Sequence, residues 1–360
     1  YREGGEYPIH CRIPRDGGDE EVLVDGDARC GSSAFFHLAD VLHSPDHRKV
    51  AVVEDRVGSE EYRVWVLDLA TGEERVVLDG VSASVTWGTS DELFATRFDK
   101  HHRPSKAIHL ALDTLEETTI YEEFDPGFFV SVHTTLSGRF LILYLEDSSD
   151  TSEVHVMDLD GDRRLRCLAE RDPGVEYSVE HHADRWVIRT NRDAEDFRLV
   201  TAPLDSTSHA DWADLVPHRS GTLIAGAVAL SDHLVRLETE DALPRLVVRE
   251  WATGDERILA FDEAAYSLGV QSGYEQDTSV LRFTYSSPAT PQRTYDEDLA
   301  TGERVLRKTQ VIPSGHDPDA YVVARDHAVA PDGETVPITI LHRADIDPDG
   351  DRPVLLYGYG

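Results

Sequence analysis

The sequence predicts an all-β fold, a β-propeller of seven blades, and three observations that keep one beat predict it. A polar turn recurs about every 46 residues ahead of a short apolar strand: Ser44-Pro45-Asp46, Ser90-Asp91, Ser137-Gly138, Ala183-Asp184, Ser231-Asp232 and Gln276-Asp277. A tight turn keeps the same spacing after a later strand, following Leu69, Leu112, Leu159, Leu204, Trp251 and Leu299. Between the turns apolar residues alternate, as in RVWVLDL and EVHVMDL, and no long run shows the i, i+3, i+4 spacing of helices. Short strands repeating every 40 to 50 residues or so indicate one four-stranded blade per repeat. A single blade cannot bury both faces of its small sheet, whereas stacked neighbours can.

Taken in order, YPIHCRIP (Tyr7 to Pro14) and EEVLVDG (Glu20 to Gly26) read as the remains of the first blade. Six explicit repeats follow. Their second strands are KVAVVED from Lys49, ELFATRFD from Glu92, RFLILYLED from Arg139, RWVIRTNRD from Arg185, HLVRLETED from His233 and TSVLRFTYSS from Thr278. The last blade ends near Gln310. A new pattern then begins near Tyr321: YVVARDHAVAPDGETVPITILHR reads as a hairpin with Asp332-Gly333 at its turn. The chain reads as a fragment. It starts at Tyr1, its only Met is Met157, and it stops directly after the apolar run VLLYGYG.

The charge excludes some partners. With 69 acidic against 35 basic residues the formal net charge is −34, and the only lysines are Lys49, Lys100, Lys106 and Lys308. Nucleic acid and anionic membranes demand positive surface, so neither is an expected partner. No run approaches the length of a membrane span. Two explanations of the acidity stand side by side, solubility in high salt and attraction of cationic substrate. In a propeller blade the loop between the second and third strands shares a face with the link to the next blade. These segments hold Glu54, Asp55, Glu60, Glu61, Glu146, Asp147, Asp150, Glu153, Asp193, Glu195, Asp196, Glu238, Glu240 and Asp241, with Glu122, Glu123, Asp125, Glu170, Asp172, Asp262 and Glu263 in the links. Of these, Glu146, Asp147, Asp150 and Glu153 are the candidate residues for steering short cationic peptides.

Several motifs fail. DIDPDGD (Asp345, Asp347, Asp349, Gly350) imitates the start of a calcium loop, but its twelfth position is Leu356 where a bidentate Glu is needed. The adjacent pairs His101-His102 and His181-His182 point to opposite strand faces and cannot chelate through one face. Cys11, Cys30 and Cys167 lack metal-ligand spacing and read as free thiols of a reducing, cytoplasmic setting. No metal and no cofactor is expected. The strained G-x-S-x-G elbow that exposes a nucleophilic serine is absent from the chain.

Beyond the blade pattern, HSPDHRKVAVVEDRVGSEEY, DKHHRP, DPGFFVSVHTTLSGRF, GVEYSVEHHADRW, IPSGHDP and the terminal LLYGYG resemble the oligopeptidase B branch of the prolyl oligopeptidase family of serine peptidases. The resemblance covers nearly the whole chain. It implies a seven-bladed propeller over residues 1–312 and the start of a truncated α/β-hydrolase domain over 313–360. It implies acyl-enzyme cleavage of short peptides after Arg or Lys, with the propeller excluding folded proteins. The family's Ser, Asp and His triad lies downstream of the LLYGYG strand, so this segment alone is expected to be inactive, with the missing catalytic domain as its partner in cis. One residue carries over. The second Tyr of the family's Y-G-Y-G motif is Tyr359 here, and the resemblance makes its hydroxyl an oxyanion-hole donor. The rival reading, from a different class, is a non-catalytic propeller that serves as a binding scaffold.

Overall fold

The computed structural model describes residues 1–14, 17–271, 273, 275–347 and 350–358. Among them lie one seven-stranded sheet, four four-stranded sheets and two two-stranded hairpins, built from antiparallel pairs. The chain divides into two compact units, residues 1–190 with 201–213, and 191–200 with 214–360.

In the first unit, strands Ile9–Arg12 and Glu21–Asp25 form a hairpin. Asp25 then caps a short helix, Gly26–Cys30, by accepting from the Ala28 N–H at 3.2 Å. The seven-stranded sheet runs His37–His43, Lys49–Asp55, Tyr62–Asp68, Glu74–Trp87, Glu92–Phe98, Pro104–Ala111 and Glu117–Glu122 in sequence order. It contains two of the expected repeats. They share the 14-residue strand Glu74–Trp87, whose first half pairs with Tyr62–Asp68 and whose second half pairs with Glu92–Phe98. The sequence suggests a link here, but ERVVLDGVSASVTW has no proline and is rich in β-formers. Gly80, at φ +70°, supplies the bend and the register shifts between Val81 and Val85.

The next repeat is Phe129–Thr134, Phe140–Glu146, Ser152–Asp158 and Arg166–Ala169. The sheet after it is Tyr177–His182, Arg185–Thr190, Arg198–Pro203 and Ala213–Val216. In the second unit come Thr222–Ala229, His233–Glu240, Leu243–Glu250 and Glu256–Ile258, then Ser267–Gln271, Val280–Ser286, Arg293–Asp298 and Arg304–Thr309. The expected late hairpin is present as Tyr321–Val329 and Thr335–Arg343, its turn closed by Gly333 N–H donating to Ala330 C=O at 2.9 Å.

Second strands Lys49–Asp55 and Glu92–Phe98 are buried on both faces, because their alternate residues enter different clusters, whereas Val280–Ser286 of the last repeat leaves Val280 and Arg282 exposed. Ala51 and Val53 pack with Val85, Trp87, Leu93 and Ala95 of the next repeat, whereas Val50 and Val52 pack with Val24 of the first hairpin. Phe94, facing away from Leu93 and Ala95, joins Val130, Val132, Leu141, Leu143 and Leu145 of the repeat after. Each fully buried large aliphatic side chain contributes about 1.5–3 kcal/mol, so stacking of successive sheets dominates the stability of the unit. Polar bonds one repeat apart fix the register of the stack. Trp87 Nε1 donates to Leu42 C=O at 2.9 Å, Lys49 Nζ lies 2.8 Å from Asp91 Oδ1, and His181 Nδ1 lies 2.9 Å from Ser137 Oγ.

The tight turns share one chemistry. In ATGEER the Asp68 carboxylate accepts from the N–H groups of Ala70 and Thr71, and in ATGER Asp298 does the same for Ala300 and Thr301. Gly72 and Gly302, both with positive φ, close these turns where an L side chain would be strained.

Candidate functional site

The oxyanion-hole candidate Tyr359 lies outside the described residues. The acidic loops can be placed, and they separate into two kinds of carboxylate.

The first kind builds the loops. Asp147 Oδ1 accepts from the backbone N–H groups of Ser149, Asp150 and Thr151, each at 3.0 Å, and Oδ2 accepts from Ser149 Oγ at 2.9 Å. These bonds, the Thr151 N–H first, hold its carboxyl down at about 2. In two earlier repeats Asp55 accepts from Val57, Gly58 and Glu60, and Asp99 from His101 and Arg103. These acids replace missing strand bonds in the loop and are not free to attract a ligand.

The second kind is buried and neutralised. Glu153 stands in strand Ser152–Asp158, not in a loop, and is 8% exposed. Its Oε1 lies 2.8 Å from His155 Nε2, and its Oε2 accepts from Arg171 N–H at 3.1 Å and from Arg171 Nε at 3.2 Å. Burial pushes this carboxyl up, but the bonds from His155 and Arg171 outweigh it and hold the group at about 2. Arg171 also reaches Glu123 Oε2 at 2.6 Å and sits 3.8 Å over the Phe128 ring. It therefore clamps the link after one repeat onto the next. Glu54 is paired likewise by Arg29 at 2.6 Å, Arg56 at 2.7 Å and Trp65 Nε1 at 2.9 Å, and Glu238 by Arg236 and Arg245 at 2.9 Å each.

The four steering candidates thus do not form one exposed cluster. Glu146 and Asp150 face solvent, Asp147 caps its loop, and Glu153 belongs to the core. Sequence reading credited Glu153 to the loop because a charge at a strand start looks the same buried or exposed. The alternation Glu153-x-His155, with Arg171 eighteen residues on, is the signal that could have marked it. Glu60, Glu61, Glu122, Asp125, Glu170, Asp193, Glu195, Glu240, Asp241 and Asp262 are exposed, so much of the acidic loop charge does reach solvent.

His181-His182 ends strand Tyr177–His182, but His101-His102 lies in the turn between strands Glu92–Phe98 and Pro104–Ala111, with His102 at φ +61°, so the strand argument does not apply to that pair. His102 stacks on Phe98 with ring centroids 4.1 Å apart, and His181 bonds Ser137 Oγ and the Ala183 carbonyl. Asp241, in the tight turn Glu240–Leu243, holds the late hairpin: Arg325 lies at 3.1 Å and His327 Nε2 at 3.0 Å from its Oδ2. Sequence reading missed this anchor, since the partners stand more than eighty residues apart.

Residues 1–310 match the family model described as the prolyl oligopeptidase N-terminal beta-propeller domain. Dipeptidyl aminopeptidase BI of Pseudoxanthomonas mexicana is 34% identical over 99% of this chain and 52% of its own length. Protease 2 of Moraxella lacunata is 28% identical over 99% of this chain and 53% of its own. Among solved structures, oligopeptidase B from Trypanosoma brucei with covalently bound antipain, in its closed form, superposes with a TM-score of 0.85 at 29% identity, covering 98% of this chain and 52% of that one. The chain spans about half the length of the curated relatives it matches. The stacked four-stranded repeats and the family match agree: the chain belongs to the prolyl oligopeptidase family and carries its N-terminal β-propeller domain.

Proposed function

We propose that this chain is the propeller part of a serine endopeptidase resembling oligopeptidase B, which hydrolyses short peptides after Arg or Lys through an acyl-enzyme. The observation that carries the reading is the propeller-family match over residues 1–310, joined to likeness along nearly the whole chain to Protease 2 and to an oligopeptidase B that holds covalently bound antipain. In this reading the hairpin Ile9–Arg12 with Glu21–Asp25 completes a count of seven blades, and residues 313–360 open the α/β-hydrolase domain. The propeller selects substrates by size, and exposed loop acids such as Glu146 and Asp150 draw cationic peptides by long-range attraction. Tyr359 donates to the oxyanion that forms only in the tetrahedral transition state.

A second reading rests on the higher identity of the relative named dipeptidyl aminopeptidase: the intact protein releases dipeptides from free N-termini. One experiment separates the two. A longer protein that includes the residues following Gly360 is given fluorogenic Arg substrates with blocked and with free N-termini. Turnover of the blocked substrate, abolished by a serine-directed inhibitor, supports the endopeptidase. Turnover of the free form alone supports the dipeptide-releasing reading, and no turnover of either favours a non-catalytic scaffold. In the same protein Tyr359→Phe lowers kcat by roughly tenfold to a thousandfold with little change in KM. An unchanged kcat makes Tyr359 structural.

A further inference from the structure

We infer that Glu153, His155 and Cys167 form a binding site for a thiophilic divalent metal ion. Strand alternation places Glu153 and His155 on one face, and the antiparallel register sets Cys167 of strand Arg166–Ala169 directly opposite His155. Their candidate ligand atoms all lie within 4.8 Å of one another, and no other group of three His, Cys, Asp or Glu among the described residues comes so close. The set offers one sulfur, one imidazole nitrogen and one carboxylate oxygen. That mixture suits zinc-like ions and not calcium or magnesium, which require shells of oxygen.

The geometry shows what an entering ion meets: Glu153 Oε1 accepts from His155 Nε2 and, at 3.2 Å, from Arg171 Nη2, so the ion shares that oxygen with one arm of the clamp. The bond between His155 Nε2 and Glu153 Oε1, at 2.8 Å, is the one the ion replaces. Glu153 Oε2 keeps its bonds to the Arg171 backbone and Nε, and Arg171 keeps Glu123 at 2.6 Å. Glu123, Asp125, Glu153 and Glu170 outnumber Arg171 in this neighbourhood, so a divalent cation lowers the local charge imbalance. Starting from a neutral imidazole, the ring proton moves to Nδ1 and Nε2 ligates. The Cys167 thiol proton leaves to solvent and the thiolate ligates, so binding releases one proton per ion. Because the ion displaces that proton, binding strengthens as pH rises. The three ligands leave a fourth tetrahedral position for water. A bound ion would pin the outer strand Arg166–Ala169 to its neighbour.

The test uses the full 360-residue chain with Cys11→Ser and Cys30→Ser, leaving the cluster intact, titrated with Cd²⁺ and separately with Co²⁺. The expected result is a thiolate-to-cadmium charge-transfer band that saturates at one ion per chain, with about one proton released. Cys167→Ser abolishes the band, and His155→Gln weakens apparent affinity by about tenfold or more. Absence of a saturable band in the Cys11/Cys30 variant overturns the site. So does an unchanged affinity in His155→Gln, which reports a lone thiol; this variant decides the matter if Cys167→Ser does not fold.

Discussion

Strand Lys49–Asp55 and strand Tyr321–Val329 carry the same local signal and meet different fates. Both contain a short apolar run, VAVV and YVVA, and both pair antiparallel with a neighbour across a short turn. Yet Val50 to Val53 are wholly buried, whereas no residue of the hairpin Tyr321–Val329 with Thr335–Arg343 is buried. The difference lies one level above the strand. Lys49–Asp55 has a sheet packed on each face, so every side chain finds a cluster. The late hairpin is held by polar contacts such as Asp241 with Arg325 and His327, while Val322, Val336, Ile340 and Leu341 stay exposed. Pairing makes a strand; only stacking makes it core.

The largest expected effect breaks the comparison at its buried end. Leu143 is fully buried in the strand Phe140–Glu146, so Leu143→Ala costs about 2–5 kcal/mol in urea unfolding. Val336→Ala, on the exposed hairpin, shifts the same transition by less than about 0.5 kcal/mol. Equal losses would show that the hairpin is as much core as the blades.

Two carboxylates, half-buried Glu180 and buried Glu153, sharpen the comparison through pH, with opposite signs. Burial raises Glu180, which accepts from Leu136 N–H at 3.2 Å and His181 N–H at 3.3 Å, from its usual 4.5 to about 7. The folded state then holds a proton that the unfolded chain has lost. Stability from this group is full below about 4.5, falls as pH rises, and levels off above about 7, a change on the order of 3 kcal/mol. Glu153 is held at about 2, so its contribution is full above about 4.5 and is lost as pH falls towards 2, by a similar order of magnitude. Stability measured against pH in Glu180→Gln should lose the neutral-range decline, and in Glu153→Gln the acid-range decline. An unaltered profile in either variant means that carboxyl titrates normally.

The smallest effect concerns steering. Neutralising the exposed pair Glu146 and Asp150 in the longer protein should lower kcat/KM for Arg-containing substrates by a factor of about two at low salt. The loss should vanish near 1 M salt, where the Debye length is about 3 Å. Stability should hardly change. If kinetics stay constant and solubility falls, the acids serve tolerance of salt.

The repeats were legible because their markers are local. A serine or aspartate turn and an Asp-x-x-x-Gly turn need only neighbouring residues, and so they keep the beat in the sequence. The Asp332-Gly333 hairpin was legible for the same reason. What could not be read depends on contacts across strands and repeats. Glu54, Glu123, Glu153 and Glu238 look like surface charges until Arg29, Arg171, Arg236 and Arg245 are brought beside them. Cys167 gains a meaning only through register with His155. The fusion of two repeats into one sheet turns on the backbone at Gly80.

Amide hydrogen exchange, followed strand by strand in the 360-residue chain and in the longer protein, tests most directly whether stacking separates core from unfinished edge. The account predicts slow exchange in Lys49–Asp55 and Phe140–Glu146 in both proteins. The amides of Tyr321–Val329 should exchange fast in the shorter chain and slowly in the longer one, where on the proposed reading residues after Gly360 pack on the hairpin. Slow exchange of the hairpin in the 360-residue chain, or fast exchange in the longer protein, would contradict it.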